Sequence, residues 1–83
     1  MSGQITVTTA GTQVAGPSSN VAGGFAVKAH PDNTDTVWVR ALGDSTKGYP
    51  LNPGEALVLR GATLTAYEFD ADVSGEKVCW MAL

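Results

Sequence analysis

Residues Phe25 to Glu55 carry the clearest indication of secondary structure in this sequence. The stretch begins Phe25-Ala-Val-Lys-Ala-His-Pro-Asp-Asn-Thr-Asp-Thr-Val-Trp-Val-Arg40 and, after a polar loop, ends Gly48-Tyr-Pro-Leu-Asn-Pro-Gly-Glu55. Apolar residues alternate with other residues in the first part, which is the period of a half-buried β-strand. A Pro-Asp-Asn turn interrupts it. In the second part, Pro53-Gly54 predicts a type II turn, because proline presets φ at the second position and glycine supplies the positive φ of the third.

The same pattern continues on both sides of this stretch. Glycine, proline or asparagine turns recur about every 8–12 residues, which is the spacing of strands in a sandwich or barrel. No window carries apolar residues at i, i+3, i+4 and i+7 over three turns, so no helix of note is predicted. We predict about seven strands, at 5–9, 13–15, 25–29, 35–42, 56–60, 64–73 and 77–83, with a loop at 16–20 and glycine 61 closing the fifth strand.

The predicted fold is therefore all-β, a small antiparallel β-sandwich that forms one domain over residues 1–83. The alternation assigns one face of each strand to the interior. The core is predicted to contain Val27, Val37, Val39, Leu57, Leu59 and Phe69.

The length of the chain limits how stable it can be alone. A chain of 83 residues buries a smaller fraction of its surface than a larger domain does, and small domains often need disulfides, metals or oligomerisation. One cysteine, Cys79, cannot form an internal disulfide. One cysteine and one histidine, His30, cannot supply the four ligands of a structural zinc. Burial against other copies or another protein is the remaining route.

Charge and hydropathy exclude several partner classes. The net charge is −3, from five basic and eight acidic residues, and the chain has no basic stripe of the kind that binds nucleic acid. No apolar run approaches the length of a membrane span. The N-terminus lacks a basic segment followed by an apolar one, so no signal peptide is predicted. A lone cysteine is consistent with synthesis in a reducing cytosol.

One segment imitates the start of a calcium loop, Asp70-Ala-Asp72-Val-Ser74-Gly75. Such a loop needs a bidentate glutamate at its twelfth position. Met81 stands there, so the alternative is a solvated acidic face beside a Ser-Gly hairpin. We predict no metal and no cofactor.

No catalytic residue is predicted, and we do not expect an enzyme. His30 has no nucleophile in a recognisable motif and is expected at the surface in a turn. Cys79, between Val78 and Trp80, is expected to be a buried structural thiol.

Four residues are predicted to contact a partner: Trp38, Arg40, Trp80 and Met81. Trp38 and Arg40 share a strand face, and both residue types are enriched in interface hot spots. Alternatively, Trp38 covers the edge of the core with Arg40 stacked on it. The last strand is apolar on both faces, either because a curled sheet buries both or because one face meets a neighbouring subunit.

The order of motifs resembles that of small virion-associated proteins of tailed bacteriophages. The likeness covers residues 27–82 and consists of the Val-Lys-Ala-x-Pro-x-Asn-Thr segment, the Gly-Tyr-Pro-Leu-Asn-Pro-Gly-Glu turn and the Phe-Asp-Ala-Asp-Val-Ser-Gly segment. The resemblance implies a virion structural protein. It implies, in particular, a capsid decoration or cement protein at the capsid surface, synthesised in the host cytoplasm. The implied partners are the major capsid protein, copies of this chain, or both.

Two alternatives stay open. One is an accessory protein of the phage tail, neck or baseplate. The other is of a different class, a carbohydrate-binding β-sandwich module for host attachment, for which Trp38, Tyr49 and Tyr67 are the available aromatic residues.

Overall fold

A computed structural model describes residues 2–16, 23–60 and 64–83. It contains eight β-strands and one short 3-10 turn in these ranges. They are β1 Ser2–Val7, β2 Val14–Ala15, β3 Gly24–Ala29, β4 Val37–Ala41, β5 Tyr49–Leu51, β6 Ala56–Arg60, the 3-10 turn Leu64–Ala66, β7 Tyr67–Ala71 and β8 Glu76–Ala82.

The strands form two four-stranded sheets. Sheet A has the order β1-β8-β3-β6 and sheet B the order β2-β7-β4-β5. Every strand pair is antiparallel. Consecutive strands alternate between the sheets, except that β4 and β5 are neighbours in sheet B. The prediction of an all-β antiparallel sandwich is confirmed.

One hydrophobic core lies between the two sheets. Alternate residues of β3 and β4 face it, so that Val27, Val37 and Val39 are buried as predicted, together with Phe69 of β7. Leu57 and Leu59 point to the same side but are only half-buried. The reason is that β6 is an edge strand of sheet A, where the core ends.

The two predicted proline turns are present. Glu55 N donates to Asn52 O at 2.9 Å and Gly54 has φ of 85°, which is type II geometry. Asn33 N donates to His30 O at 2.9 Å. The Asn33 side chain then holds this turn against β8 through Lys77 N and Lys77 O, at 2.9 and 2.8 Å.

Three features differ from the sequence prediction. Tyr49–Leu51 is a strand, although proline and turn residues surround it, because it pairs with Val37, Trp38 and Val39 of β4. The predicted strand at 64–73 begins with the 3-10 turn and ends at Ala71. Residues 72–75 carry the chain from β7 in sheet B to β8 in sheet A, so the predicted Ser-Gly hairpin is a crossover between sheets.

The part of the chain that the structure describes contains no helix long and apolar enough to cross a membrane. Within the predicted loop at 16–20, positions 17–20 lie outside the described residues, as does glycine 61.

Candidate binding surface

The outer face of sheet A leaves several apolar side chains open to solvent. We define it as the outward-pointing residues of β8, β3 and β6 and describe it by its rows. Ala26 lies between Met81 and Val58 in one row, and Lys28 lies between Cys79 and Ala56 in the next. Met81 is 61% exposed and Val58 47% exposed. Exposed apolar side chains gathered on one face of a small domain are typical of a binding surface.

A shallow depression of about 270 Å³ lies on this face. It forms because two alanines on adjacent strands, Ala26 and Ala56, leave space between the longer side chains of Lys28 and Met81. Its floor and walls are almost wholly apolar. The depression can receive an apolar side chain of a partner.

The rim of the outer face of sheet A is cationic. Three cationic residues lie at outward positions on the strands of sheet A: Lys28, Arg60 and Lys77. No Asp or Glu occupies an outward position on these strands. None of the three forms an ion pair with another described residue. The whole chain carries net charge −3, so this face differs in sign from the molecule around it.

The outer face of sheet B is occupied by its own polar contacts. Arg40 Nε donates to Glu68 Oε1 at 2.7 Å and Arg40 Nη1 donates to Thr46 O at 3.0 Å. Trp38 Nε1 donates to Asp72 Oδ1 at 3.1 Å. Lys47 Nζ lies 4.9 Å from the centre of the Trp38 ring and 3.3 Å from Asp72 Oδ1.

These contacts correct the interpretation of Arg40. Its side chain is buried, with the residue 8% exposed, and it pairs with a carboxylate rather than stacking on Trp38. The cation on the Trp38 ring belongs to Lys47 instead. Trp38 is half-buried beneath it. Arg40 therefore has little surface to offer a partner.

The other predicted pair, Trp80 and Met81, is divided between the two faces of β8. Trp80 points inward, is 8% exposed, and packs over Gly3 of β1, where a Cβ would lie 2.8 Å from the indole Nε1. Met81 points outward and lies in the outer face of sheet A. Of the four predicted contact residues, Met81 is the one that the structure places on that face.

Cys79 is not the buried thiol that its apolar neighbours suggested. Val78 and Trp80 fill the core, so the alternation of β8 turns Cys79 outward, between Gln4 and Lys28. It is half-exposed. His30 is half-buried in its turn, and its Nδ1 accepts a hydrogen bond from Asp32 N at 3.0 Å.

The acidic residues near the imitation calcium loop each have a different partner. Glu68 binds Arg40, and Asp72 binds Trp38 and Lys47. Asp70 Oδ1 accepts from Gly11 N at 3.0 Å and Ala71 N at 2.8 Å. The described residues contain no group of three or more His, Cys, Asp and Glu placed to hold a metal ion.

The loop that covers Arg40 has a carboxylate turn of its own. Asp44 Oδ1 accepts from Thr46 N at 2.9 Å and Thr46 Oγ1 at 3.0 Å. These bonds favour the charged form and lower the pKa of Asp44 below its ordinary value. They fix the loop so that Thr46 O reaches Arg40.

Sequence reasoning missed the residues that form the depression. Ala26, Ala56 and Val58 carry no chemical signal of their own. The alternation of Leu57, Val58 and Leu59 identifies Val58 as outward-facing, but that β6 lies beside β3 depends on pairing between distant segments. The aromatic residues available for sugar binding have different environments. Tyr49 is exposed, whereas Tyr67 packs edge-on against Phe25 with 5.8 Å between the ring centres.

The sequence matches no protein-family model, and neither the curated proteins nor the solved structures show significant similarity to it.

Proposed function

We propose that this protein is a bacteriophage virion structural protein that decorates the capsid, where it bridges and stabilises major capsid subunits. Its action is binding rather than chemistry. The single observation that carries the proposal is the outer face of sheet A, an open apolar surface on a domain of 83 residues. The motif order described above supplies the phage context.

The size of the domain supports a role in an assembly. A stable, specific contact buries about 800 Å² per partner, and the whole chain exposes 4376 Å². One such contact would cover a large share of this surface. Repeated around a shell, contacts of moderate strength add through multivalency.

Stabilisation of the shell would follow from mass action. A protein that binds the assembled shell in preference to free subunits shifts the equilibrium toward the shell, as a ligand stabilises the state it binds. Met81 and Val58, which lie on either side of Ala26 on the outer face of sheet A, are the residues we expect to contact the shell.

The experiment is to purify the virion of the phage that encodes this chain and count its copies by quantitative mass spectrometry. The capsid proposal expects copies in proportion to the capsid lattice, and shells without the protein that break at lower temperature. A few copies per virion, with heat resistance unchanged in their absence, would replace it with a tail, neck or baseplate accessory role. Absence from the virion would overturn both.

A further inference from the structure

Strand β6 is the sheet edge that leaves its apolar residues least covered. It pairs with β3 on one side, and no described strand pairs with its other side. Val58 is 47% exposed on the outer face, and Leu57 and Leu59 are half-buried on the inner one. Both edges of sheet B are short, with two residues in β2 and three in β5, one of them Pro50. An exposed apolar edge invites pairing with another chain.

The hydrogen bonds of β3 show which groups of β6 face outward from the sheet. Ala29 N donates to Glu55 O at 2.9 Å, and Ala29 O accepts from Gly54 N at 3.0 Å, so both backbone groups of Ala29 bond toward the β6 side at the end of the β3–β6 ladder. Hydrogen-bonded and non-bonded pairs alternate along an antiparallel ladder. The register therefore assigns Leu57 and Leu59 to β3, while the N–H and C=O groups of Ala56, Val58 and Arg60 point to the free edge.

The bonds on the other side of β3 agree with this assignment. Leu83 N donates to Gly24 O at 3.0 Å and His30 N donates to Lys77 O at 3.1 Å. The even-numbered residues of β3 thus bond toward β8, which leaves the odd-numbered ones for β6. The free edge of β6 offers three residues with both donor and acceptor at regular spacing.

The charge of the outer face near β6 indicates which kind of chain can pair with this free edge. Arg60 lies on β6, and Lys28 lies beside Ala56 on the neighbouring strand, both on the outer face. A second copy paired antiparallel through β6 would gather two Arg60 and two Lys28 side chains on one continuous face, and this concentration of like charge disfavours the pairing. A segment with carboxylates on its outward side would neutralise them.

We propose that an extended acidic segment of a partner protein adds to the free edge of β6 as a fifth strand of sheet A. Its outward side chains are carboxylates, which lie beside Arg60 on β6 and one strand away from Lys28 on β3. Its inward side chains are apolar and cover Leu57 and Leu59. Main-chain hydrogen bonds to Ala56, Val58 and Arg60 hold it, as in other cases of strand addition. The inference rests on the proposed function only in taking the partner to be a shell protein.

The first test uses an eight-residue peptide of alternating valine and glutamate as the probe, with a valine–lysine peptide as its control. Amide hydrogen exchange is measured by NMR on the intact chain. We expect the amides of Ala56, Val58 and Arg60 to exchange about tenfold more slowly when the valine–glutamate peptide occupies nine-tenths of the sites. The valine–lysine peptide is expected to have little effect.

Two variants locate the effect. Val58→Pro removes the central donor of the free edge without touching the β3 ladder, and proline is tolerated at such edge positions. It should abolish the protection at Arg60. Arg60→Glu, which keeps the backbone groups and serves if Val58→Pro fails to fold, should reverse the preference between the two peptides. Lys47→Glu makes the same charge change on sheet B and should leave the preference unaltered.

Three results would overturn the inference: equal protection by both peptides, no protection by either, or protection without peptide in a chain that sediments as a dimer. The proposed function is tested apart from it, by binding to undecorated shells. If undecorated shells bind the Val58→Pro and Arg60→Glu variants as strongly as they bind the wild-type protein, the edge assignment is refuted and the decoration proposal is not. Peptide protection in a chain absent from virions would refute decoration and leave the edge assignment standing.

Discussion

Gly48 lies where the loop before β5 passes over β4, and its missing side chain allows the two segments to approach. A Cβ at this position would lie 2.4 Å from Val39 O and 2.5 Å from Arg40 Cβ. Its φ is 92°, in the left-handed region that favours glycine. The close approach brings the loop carbonyl of Thr46 to the Arg40 guanidinium.

Gly48→Ala should therefore lower the free energy of unfolding by more than the cost of placing alanine in a left-handed backbone conformation. Gly43→Ala is the control, since Gly43 has φ of 79° and open space around it. The control should lose about 1–2 kcal/mol, the cost of a left-handed L-residue. Gly48→Ala should lose clearly more, because backbone must move. Equal losses in urea denaturation would show that the clash relaxes freely.

The ion pair of Arg40 and Glu68 gives a second prediction at this scale. Their side chains are 7% and 13% exposed, and removing one partner of a buried pair leaves the other charge without compensation. Arg40→Ala should lower the free energy of unfolding by about 3 kcal/mol. Lys47→Ala, which breaks the exposed pair with Asp72, should cost less than about 1 kcal/mol. Chemical denaturation of both variants measures the difference.

Strands β3 and β4 could be predicted from the sequence, and β5 could not. In β3 and β4 the apolar side chains that alternate along the strand are buried, so the period-2 pattern correctly predicts Val27, Val37 and Val39 in the core. In Tyr49–Leu51 the strand is three residues long and contains proline. Its extended form depends on pairing with β4, which local propensity does not encode.

The candidate binding surface is less predictable than the fold for a related reason. Both faces of β8 are apolar, so alternation could not decide whether Trp80 or Met81 points outward. The partner of Arg40 is Glu68, 28 residues further along the chain. In the sequence, Arg40 cannot be distinguished from an exposed contact residue. Its side chain is buried because β4 pairs with β7, which places Glu68 beside it.

The assignment of alternate strand residues to the core and to the outer face can be tested by making the same valine-to-alanine substitution at one buried and one exposed position. Val39→Ala should lower the free energy of unfolding by about 2 kcal/mol, because Val39 is 3% exposed and its removal leaves a cavity. Val58→Ala, on an outward position, should change it by less than about 0.5 kcal/mol. Thermal or urea unfolding of both variants measures the two changes. Similar losses of unfolding free energy would contradict the assignment of Val58 to the outward face of β6.

The topology makes the two sheets depend on each other throughout the molecule. Every connection except β4 to β5 passes from one sheet to the other, and the core draws on both. Neither sheet can form from one continuous part of the chain. The domain should unfold in a single step.

We expect unfolding followed by tryptophan fluorescence and by far-ultraviolet circular dichroism to give the same midpoint and slope in urea. The physical reason is that Trp80 lies in sheet A and Trp38 in sheet B, and the loss of either sheet uncovers the shared core. Coincident transitions are the mark of two-state behaviour. Separate midpoints would show that one sheet survives without the other.

Cys79 gives the molecule a built-in reporter. It is the chain's one thiol, and the alternation of β8 holds it half-exposed beside the depression formed by Ala26 and Ala56. A thiol-reactive dye should modify the free protein and be slowed by whatever covers this face. Binding of any partner to this face can thus be followed through the labelling rate of the native chain, with no residue changed.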